Sequence, residues 1–219
     1  MKVFRLSEKN SALLFDMDST LYTHREYARS QIDLPIKKLA RLRGKTFGET
    51  RDAINRYREN WEAANQGKKI SLGNIFGAFG VSIEESVRWR EELYEPERYL
   101  GPDPKLRFSL DILARSFGLA VVTNNPVSVA RRTLACLGVE EFFRVIVGLD
   151  TCGVSKPHEA PFRRAAELLG VSPAACVSVG DRYDIDIALP LELGMGGILV
   201  DGVEDLYRLP ELFGTGGEG

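Results

Sequence analysis

Short apolar runs that return along the chain are the feature that most constrains its fold. They lie at residues 12–15, 119–123, 145–147, 176–179 and 198–200. None of them alternates cleanly between apolar and polar residues, which is typical of strands buried on both faces of a parallel sheet. Helical patterns over residues 126–137 and 161–169 separate the later runs, and each is followed by a glycine that can end a helix. Strands that alternate with helices predict an α/β fold, with a parallel sheet flanked by helices.

The stretch between residues 24 and 100 interrupts this alternation. It contains several helical patterns and no strand pattern, and Ser82 with Glu85 predicts a capping box at the start of one helix. Its far end, EPERYLGPDPKL, carries three prolines and a glycine, which suits a hinge. We therefore predict a discontinuous α/β core of residues 1–22 and 101–219 and an inserted all-helical domain of residues 23–100. The alternative is that these helices pack directly on the sheet.

The overall charge of the chain argues against a general role in binding nucleic acid. The chain has 219 residues, and its 31 acidic residues slightly outnumber its 29 basic ones, whereas a nucleic-acid binder carries a basic excess. No stretch approaches the roughly 20 apolar residues of a membrane span, and the first residues do not resemble a signal peptide. The three cysteines form no zinc-binding pattern. We expect a cytoplasmic protein with reduced thiols and a disordered tail at residues 214–219.

Two aspartates, Asp16 and Asp18, follow the first predicted strand directly. In parallel α/β sheets, ligands bind beyond the carboxyl ends of the strands. Two carboxylates that flank a single residue at a buried strand end need a positive charge nearby, unless one of them holds a proton. One interpretation is a nucleophile and a proton donor beside a metal ion, and the other is a helix cap and a turn. This motif alone does not choose between them.

Polar side chains also follow the second predicted strand and precede a later helix. Thr123 and Asn124 end that strand, and Asn125 is predicted as the N-cap of a helix that begins at Pro126. A hydroxyl and free N–H groups at such a junction can bind an anion. Lys156 comes before a proline at the start of another helical pattern. Each signal is weak in isolation, because turns often contain Thr and Asn and a lone lysine is usually solvated.

The motif GDRYDID places three acids, Asp181, Asp184 and Asp186, after the strand that ends at Gly180. Glycine allows the backbone to turn tightly beside a ligand. A carboxylate at this strand end that faced the first pair would form an oxygen site suited to Mg²⁺. Without a cation the cluster would repel itself, so the alternative of a solvated loop requires the charges to be spread apart.

Taken together and in this order, these residues resemble the haloacid dehalogenase superfamily of phosphohydrolases. The family motif DxDx[TV] matches Asp16, Asp18 and Thr20, and the later motifs match Thr123, Lys156 and the GDxxxxD pattern of Gly180, Asp181 and Asp186. The helical insertion is similar to the C1 cap domain of the family. The resemblance implies a Rossmann-like α/β core with a helical cap. Ser19 departs from the pattern, because glycine or asparagine is commoner at this position in the family.

The resemblance also implies a role for each matched residue. Asp16 would be the nucleophile that forms an aspartyl-phosphate, and Asp18 would protonate the leaving oxygen and then activate water. Mg²⁺ would lie between Asp16, the backbone carbonyl of Asp18 and Asp181. Asp186 would support the metal, with Asp184 as the alternative residue for that role. Thr123 and the Asn124 N–H would hold phosphate oxygens, and Lys156 would balance the remaining negative charge.

The presence of Asp18 selects among the reactions of the family. A dehalogenase releases halide and needs no proton donor at this position, so Asp18 favours a phosphatase. A phosphomutase resembling β-phosphoglucomutase shares all four motifs and stays the alternative, and a catalytically inactive binding domain is a further one. The segments TLYTHREY and SKPH are similar to pyrimidine 5′-nucleotidase-like members, with phosphoglycolate phosphatase-like members as a second candidate subgroup.

We therefore expect a Mg²⁺-dependent phosphatase of a nucleotide, sugar or organic acid monophosphate. Its partner would be this small phosphate ester, with neither nucleic acid nor a membrane involved. The cap would close over the site and select the leaving group. Arg25, just after the first motif, could contact an anionic substrate, although an exposed arginine in the linker to the cap is the favoured interpretation.

Overall fold

A six-stranded sheet forms the centre of the protein. The computed structural model describes residues 1–214, and the strands run β1 (Lys2–Arg5), β2 (Ala12–Phe15), β3 (Gly118–Val122), β4 (Val145–Val147), β5 (Cys176–Gly180) and β6 (Gly196–Leu199). Their order across the sheet is β1-β6-β5-β2-β3-β4. All neighbours are parallel except β1, which pairs with β6 in the antiparallel direction. The predicted α/β fold is therefore confirmed, with a mixed and mostly parallel sheet.

Helices flank this sheet and also fill the segment between β2 and β3. They are α1 (Arg25–Leu42), α2 (Phe47–Ala64), α3 (Leu72–Ala78), α4 (Ile83–Leu93), α5 (Pro104–Ala114), α6 (Val127–Leu137), α7 (Leu149–Cys152), α8 (Glu159–Leu168), α9 (Ala188–Glu192), α10 (Val203–Tyr207) and α11 (Leu209–Leu212). A π-helical turn at Tyr183–Ile187 directly precedes α9. Within residues 1–214, none of the helices combines the length and the hydropathy that crossing a membrane requires.

Both faces of the central strand β2 are buried. Leu13 and Phe15 belong to one hydrophobic cluster, whereas Ala12 and Leu14 belong to a second cluster. Because successive side chains of a strand point to opposite faces, the two clusters lie on the two sides of the sheet. This double burial is the reason that the apolar runs in the sequence do not alternate with polar residues.

Strand β1 was not expected from the sequence. Its residues are mostly exposed, and it pairs at the edge of the sheet with β6. An edge strand of four residues needs little apolar side-chain area, so its sequence carries no hydrophobic signal. The predicted cap of α6 was also wrong by one position, because Pro126 rather than Asn125 is the N-cap residue. The predicted disorder of the tail concerns residues 215–219, which lie outside the described residues.

The helical segment after β2 has a hydrophobic cluster of its own. Ile36 and Leu39 of α1 pack there with Ile54 of α2, and α3 and α4 contribute further members. The capping box predicted at Ser82 and Glu85 is present at the start of α4. Polar contacts join this segment to the core, among them Lys69 N–H to Asp184, Ser128 to Glu91 and Arg132 to Glu97. The boundaries 1–22, 23–100 and 101–219 stay a prediction.

Gly180, at the end of β5, permits a close approach between the strand and Asp186. A Cβ atom at position 180 would lie 2.4 Å from the Cβ of Asp186, far inside contact distance. Gly180 is therefore required by the position of a buried carboxylate rather than by an unusual backbone conformation.

We predict that Gly180→Ala destabilises the protein by about 2 kcal/mol or more, because the added methyl group must displace Asp186 or the strand. The matched control is Gly48→Ala in α2, where a Cβ meets nothing within 4 Å. That exposed helical position should gain up to about 1 kcal/mol, since alanine is the better helix former. Urea unfolding of the three proteins measures both effects. Equal stability of Gly180→Ala and the wild type would contradict the packing described here.

Candidate active site

The sheet brings together polar residues that are far apart in the sequence. Asp16 follows β2, Thr123 follows β3 and Asp181 follows β5, and these three strands are adjacent and parallel. The strand pairing extends one residue beyond the ends of β2 and β3, since the Asp16 N–H donates to the Val179 carbonyl and the Thr123 N–H donates to the Val147 carbonyl. The three side chains therefore meet at one edge of the sheet, where parallel α/β proteins bind ligands.

Lys156 places a buried positive charge among these carboxylates. Its Nζ lies 2.7 Å from Asp16 Oδ1 and 2.6 Å from Asp186 Oδ1, and the side chain is only 1% exposed. Burial lowers the pKa of the Lys156 ammonium, but the two carboxylates together outweigh burial and raise that pKa above its usual value. Lys156 is therefore protonated, and it bridges the two acids.

One oxygen of each of Asp16, Asp181 and Asp186 lies within 4.8 Å of the others, close enough for one metal ion. Burial raises the pKa of Asp16 to about 7, although the Lys156 charge beside it acts in the opposite direction. Burial likewise raises the pKa of Asp181 to about 6. Asp16 Oδ2 and Asp181 Oδ1 are buried and have no hydrogen-bond partner among residues 1–214. Such oxygens fit a hard cation such as Mg²⁺, which takes oxygen ligands.

Asp186, not Asp184, belongs to this cluster. Asp186 is buried, and its carboxylate accepts from Lys156 and from the Arg182 N–H, while its carbonyl accepts from Ser178. The π-helical turn that contains Asp186 directs it back beneath β5. The Asp184 carboxylate instead accepts from the Lys69 N–H of the helical segment, at 3.0 Å.

The carboxylate of Asp18 lies in a different environment from that of Asp16. Its Oδ1 accepts hydrogen bonds from the Tyr22 hydroxyl and from Gln31 Nε2 at 2.9 Å, and its Oδ2 accepts from Asn125 Nδ2 at 2.8 Å. These three neutral donors fix the direction of the carboxylate, which is not part of the metal-type cluster. Participation of Asp18 in metal binding through its backbone carbonyl stays a prediction.

The turn around Asp18 has a backbone conformation at position 19 that suits glycine or asparagine better than the serine found there. Ser19 has a φ of 60°, in the left-handed region. Glycine and asparagine adopt this conformation at lower cost than other residues, which is why they suit the position.

Asn124 lies beside Lys156 and directly follows Thr123 in the chain. Asn124 Oδ1 accepts from the Lys156 N–H at 2.7 Å, and its Nδ2 donates to the Lys156 carbonyl at 3.3 Å. The amide of Asn124 thus holds the backbone of Lys156 from both sides. Thr123 is buried, and its Oγ1 accepts from the Asn125 N–H at 3.1 Å, which leaves its own O–H available to donate.

A cavity of about 220 Å³ opens between the strand ends and the helical segment. The core contributes Asp18, Asn125 and Asp181 to its lining, and the helical segment contributes Gln31, Arg90 and Tyr94. The exposed Arg25, considered above for anion binding, does not line it.

Several residues of this site were not predicted from the sequence. The position of Tyr22, four residues after Asp18, gave a weak signal, and Asn125 had been interpreted as a helix cap. Gln31 and Arg90 had no motif to indicate them, because α1 and α4 approach the strand ends only through the tertiary fold.

Comparisons with known proteins show the family of this chain. The family model of haloacid dehalogenase-like hydrolases matches residues 11–193. A phosphoglycolate phosphatase from Xanthomonas campestris pv. campestris (strain 8004) is 27% identical over 199 residues, which are 85% of this chain and 81% of that protein. A phosphoglycolate phosphatase from Aquifex aeolicus (strain VF5) is 36% identical over 96 residues, which are 43% of this chain and 45% of that protein. The second match thus spans less than half of that relative.

The fold is similar to that of solved structures over nearly the whole chain. The crystal structure of a phosphatase of this family from Thermococcus onnurineus superposes with a TM-score of 0.65 at 22% identity, covering 94% of this chain and 98% of that one. At this identity the likeness shows the fold alone. The predicted superfamily is therefore confirmed: since the family model covers residues 11–193 of 219, the chain belongs to the haloacid dehalogenase-like hydrolases.

Proposed function

We propose that this protein is a Mg²⁺-dependent phosphatase that hydrolyses a small phosphorylated metabolite through an aspartyl-phosphate. The observation that carries the proposal is the separation of the two aspartates. Asp16 lies in a buried cluster of three carboxylates and a lysine, whereas Asp18 lies two residues away among neutral donors. Family membership and the named phosphoglycolate phosphatases support the same reaction class.

In the first step, Asp16 attacks phosphorus as the bond between phosphorus and the leaving oxygen breaks. A carboxylate is a suitable nucleophile for this covalent mechanism. Asp18 donates its proton to the leaving oxygen, so the product departs as a neutral alcohol. The donors Tyr22, Gln31 and Asn125 hold the Asp18 carboxyl group in a fixed direction, so little reorganisation is needed at the moment of proton transfer.

In the second step, the deprotonated Asp18 takes a proton from water. The water oxygen forms a bond to phosphorus, the bond between phosphorus and Asp16 breaks, and inorganic phosphate leaves. The same residue thus acts first as acid and then as base, and Asp18 regains the proton that it lost.

Thr123, Asn124 and Lys156 would hold the phosphoryl group during both steps. The Thr123 hydroxyl and the Asn124 N–H would donate to phosphate oxygens, and the Lys156 ammonium would offset their charge. Phosphoryl transfer depends mainly on positioning and on stabilising negative charge, and these groups supply both.

Asp16, Asp181 and Asp186, with the carbonyl of Asp18, would hold Mg²⁺. When bound there, the metal supplies positive charge against the repulsion between Asp16 and the phosphate. Asp16 Oδ2 and Asp181 Oδ1, which accept no hydrogen bond from the described residues, support this assignment.

We predict that Asp16→Asn lowers the rate of phosphate release more than about 1,000-fold, because the amide is not a nucleophile. Phosphate release from phosphoglycolate and from an aryl phosphate in the presence of Mg²⁺ measures this loss. The control is Asp111→Asn, an exposed position on α5 that should retain the wild-type rate. Equal rates for Asp16→Asn and wild type would contradict the nucleophile assignment. A separate assay offers a sugar monophosphate, and its isomerisation without phosphate release would favour a phosphomutase.

We also predict that the affinity for Mg²⁺ rises with pH. The raised pKa values of Asp16, about 7, and of Asp181, about 6, mean that protons occupy the metal site of the metal-free protein as the pH falls. Mg²⁺ must displace these protons, so its affinity should fall about tenfold between pH 7 and pH 6, where Asp16 binds a proton, and more steeply below pH 6, where Asp181 binds a second one. Calorimetric titrations at pH 6, 7 and 8 measure the affinity, and buffers of different ionisation enthalpy measure the protons released. The same dissociation constant at pH 6 and pH 8 would be incompatible with this site.

A further inference from the structure

Arg90 is a buried arginine in the lining of the cavity described above. It lies on α4, its exposure is only 5%, and its guanidinium donates to the carbonyl and the hydroxyl of Ser86 one turn earlier. Within residues 1–214, no carboxylate oxygen lies within ion-pair distance of the Arg90 guanidinium. A buried guanidinium is unfavourable unless an anion compensates it, so this charge calls for a partner that the protein does not supply.

The second arginine of the cavity differs in this respect. Arg182 Nε lies 3.6 Å from Asp181 Oδ1 and 3.9 Å from Asp186 Oδ2, so its charge is compensated inside the protein. Both arginines line the same cavity. Arg90 is therefore the cavity arginine that is available for an anion from a ligand.

The position of Arg90 determines where this anion would bind relative to the reacting groups. The cavity that Arg90 lines also reaches Asp18, the proposed donor to the leaving oxygen. If Asp18 serves the leaving oxygen of a phosphoryl group on Asp16, the leaving group would extend into this cavity, which Arg90 also lines. The cavity volume of about 220 Å³ is below the roughly 300 Å³ of pockets for drug-sized ligands, so the leaving group must be short.

We propose that Arg90 binds a carboxylate on the leaving group, so that the substrate is the phosphate ester of a short hydroxy acid. This inference rests on the proposed phosphatase function and adds the residue that selects the substrate. A guanidinium suits the role because its planar donors bind a carboxylate through two parallel hydrogen bonds. Two hydrogen bonds to Ser86 already fix the guanidinium, so the Arg90 side chain loses less conformational freedom when the substrate binds.

The test uses two phosphonates that cannot be hydrolysed and that differ in one charge. 3-Phosphonopropionate carries a carboxylate, and propylphosphonate carries a methyl group at the same place. Calorimetry in the presence of Mg²⁺ should show that the wild type binds the carboxylate compound about 10- to 100-fold more tightly. In Arg90→Gln this ratio should fall at least tenfold, toward one. The exposed Arg88→Gln on the same helix should keep the wild-type ratio.

Equal affinity of the wild type for the two phosphonates, or an unchanged ratio in Arg90→Gln, would overturn the proposal. A purely structural role would weaken both phosphonates equally and leave the ratio as it was. If Arg90→Gln does not fold, Arg90→Lys keeps the charge but loses the paired donors, and its ratio should lie between one and the wild-type value. Hydrolysis of an aryl phosphate by the wild type tests the phosphatase function separately, because that substrate carries no carboxylate.

Discussion

The ion pairs of Lys156 with Asp16 and Asp186 are the interaction on which the rest of the site depends. Three buried charges in contact are stable only as a set, because removing the lysine would leave two carboxylates uncompensated in a region with little water. The pairing keeps Asp16, which we propose as the nucleophile, within contact distance of a cation and of a second carboxylate that we propose as a metal ligand. Preorganisation of this kind is what phosphoryl transfer requires of a protein.

The sheet is what makes that interaction possible. Asp16 and Lys156 are separated by 140 positions in the sequence, and only the adjacent ends of parallel strands bring their segments together. Gly180 then allows Asp186 to approach β5, and the Asn124 side chain holds the backbone of Lys156. The two aspartates of the first motif have different neighbours, and this difference gives them different chemistry. Asp16 is held against a cation, whereas Asp18 is held by neutral donors that the helical segment partly supplies.

The fold and the strand-end residues could be predicted because both follow local rules. Buried parallel strands are short apolar runs, and ligand-binding residues come directly after them, so Asp16, Thr123 and Asp181 were found from position alone. The exposed edge strand β1 escaped because it has no hydrophobic pattern. Gln31 and Arg90 escaped because their roles depend on how α1 and α4 lie over the sheet, which spacing does not encode. Asn125 was predicted to be a helix cap. Because the helix begins one residue later, with Pro126 as its N-cap, the Asn125 side chain is instead free to donate to Asp18.

The proposed mechanism requires that Asp16 carries the phosphoryl group during turnover. Asp18→Asn should slow the hydrolysis of the intermediate, because the base that activates water is gone, and an activated aryl phosphate with a good leaving group still permits the first step. Rapid acid quenching followed by peptide mass spectrometry then measures where the phosphoryl group lies. We expect one phosphoryl group on Asp16, and none in the double variant that also carries Asp16→Asn. Phosphate release without any phosphorylated peptide, or a phosphoryl group on another residue, would contradict it.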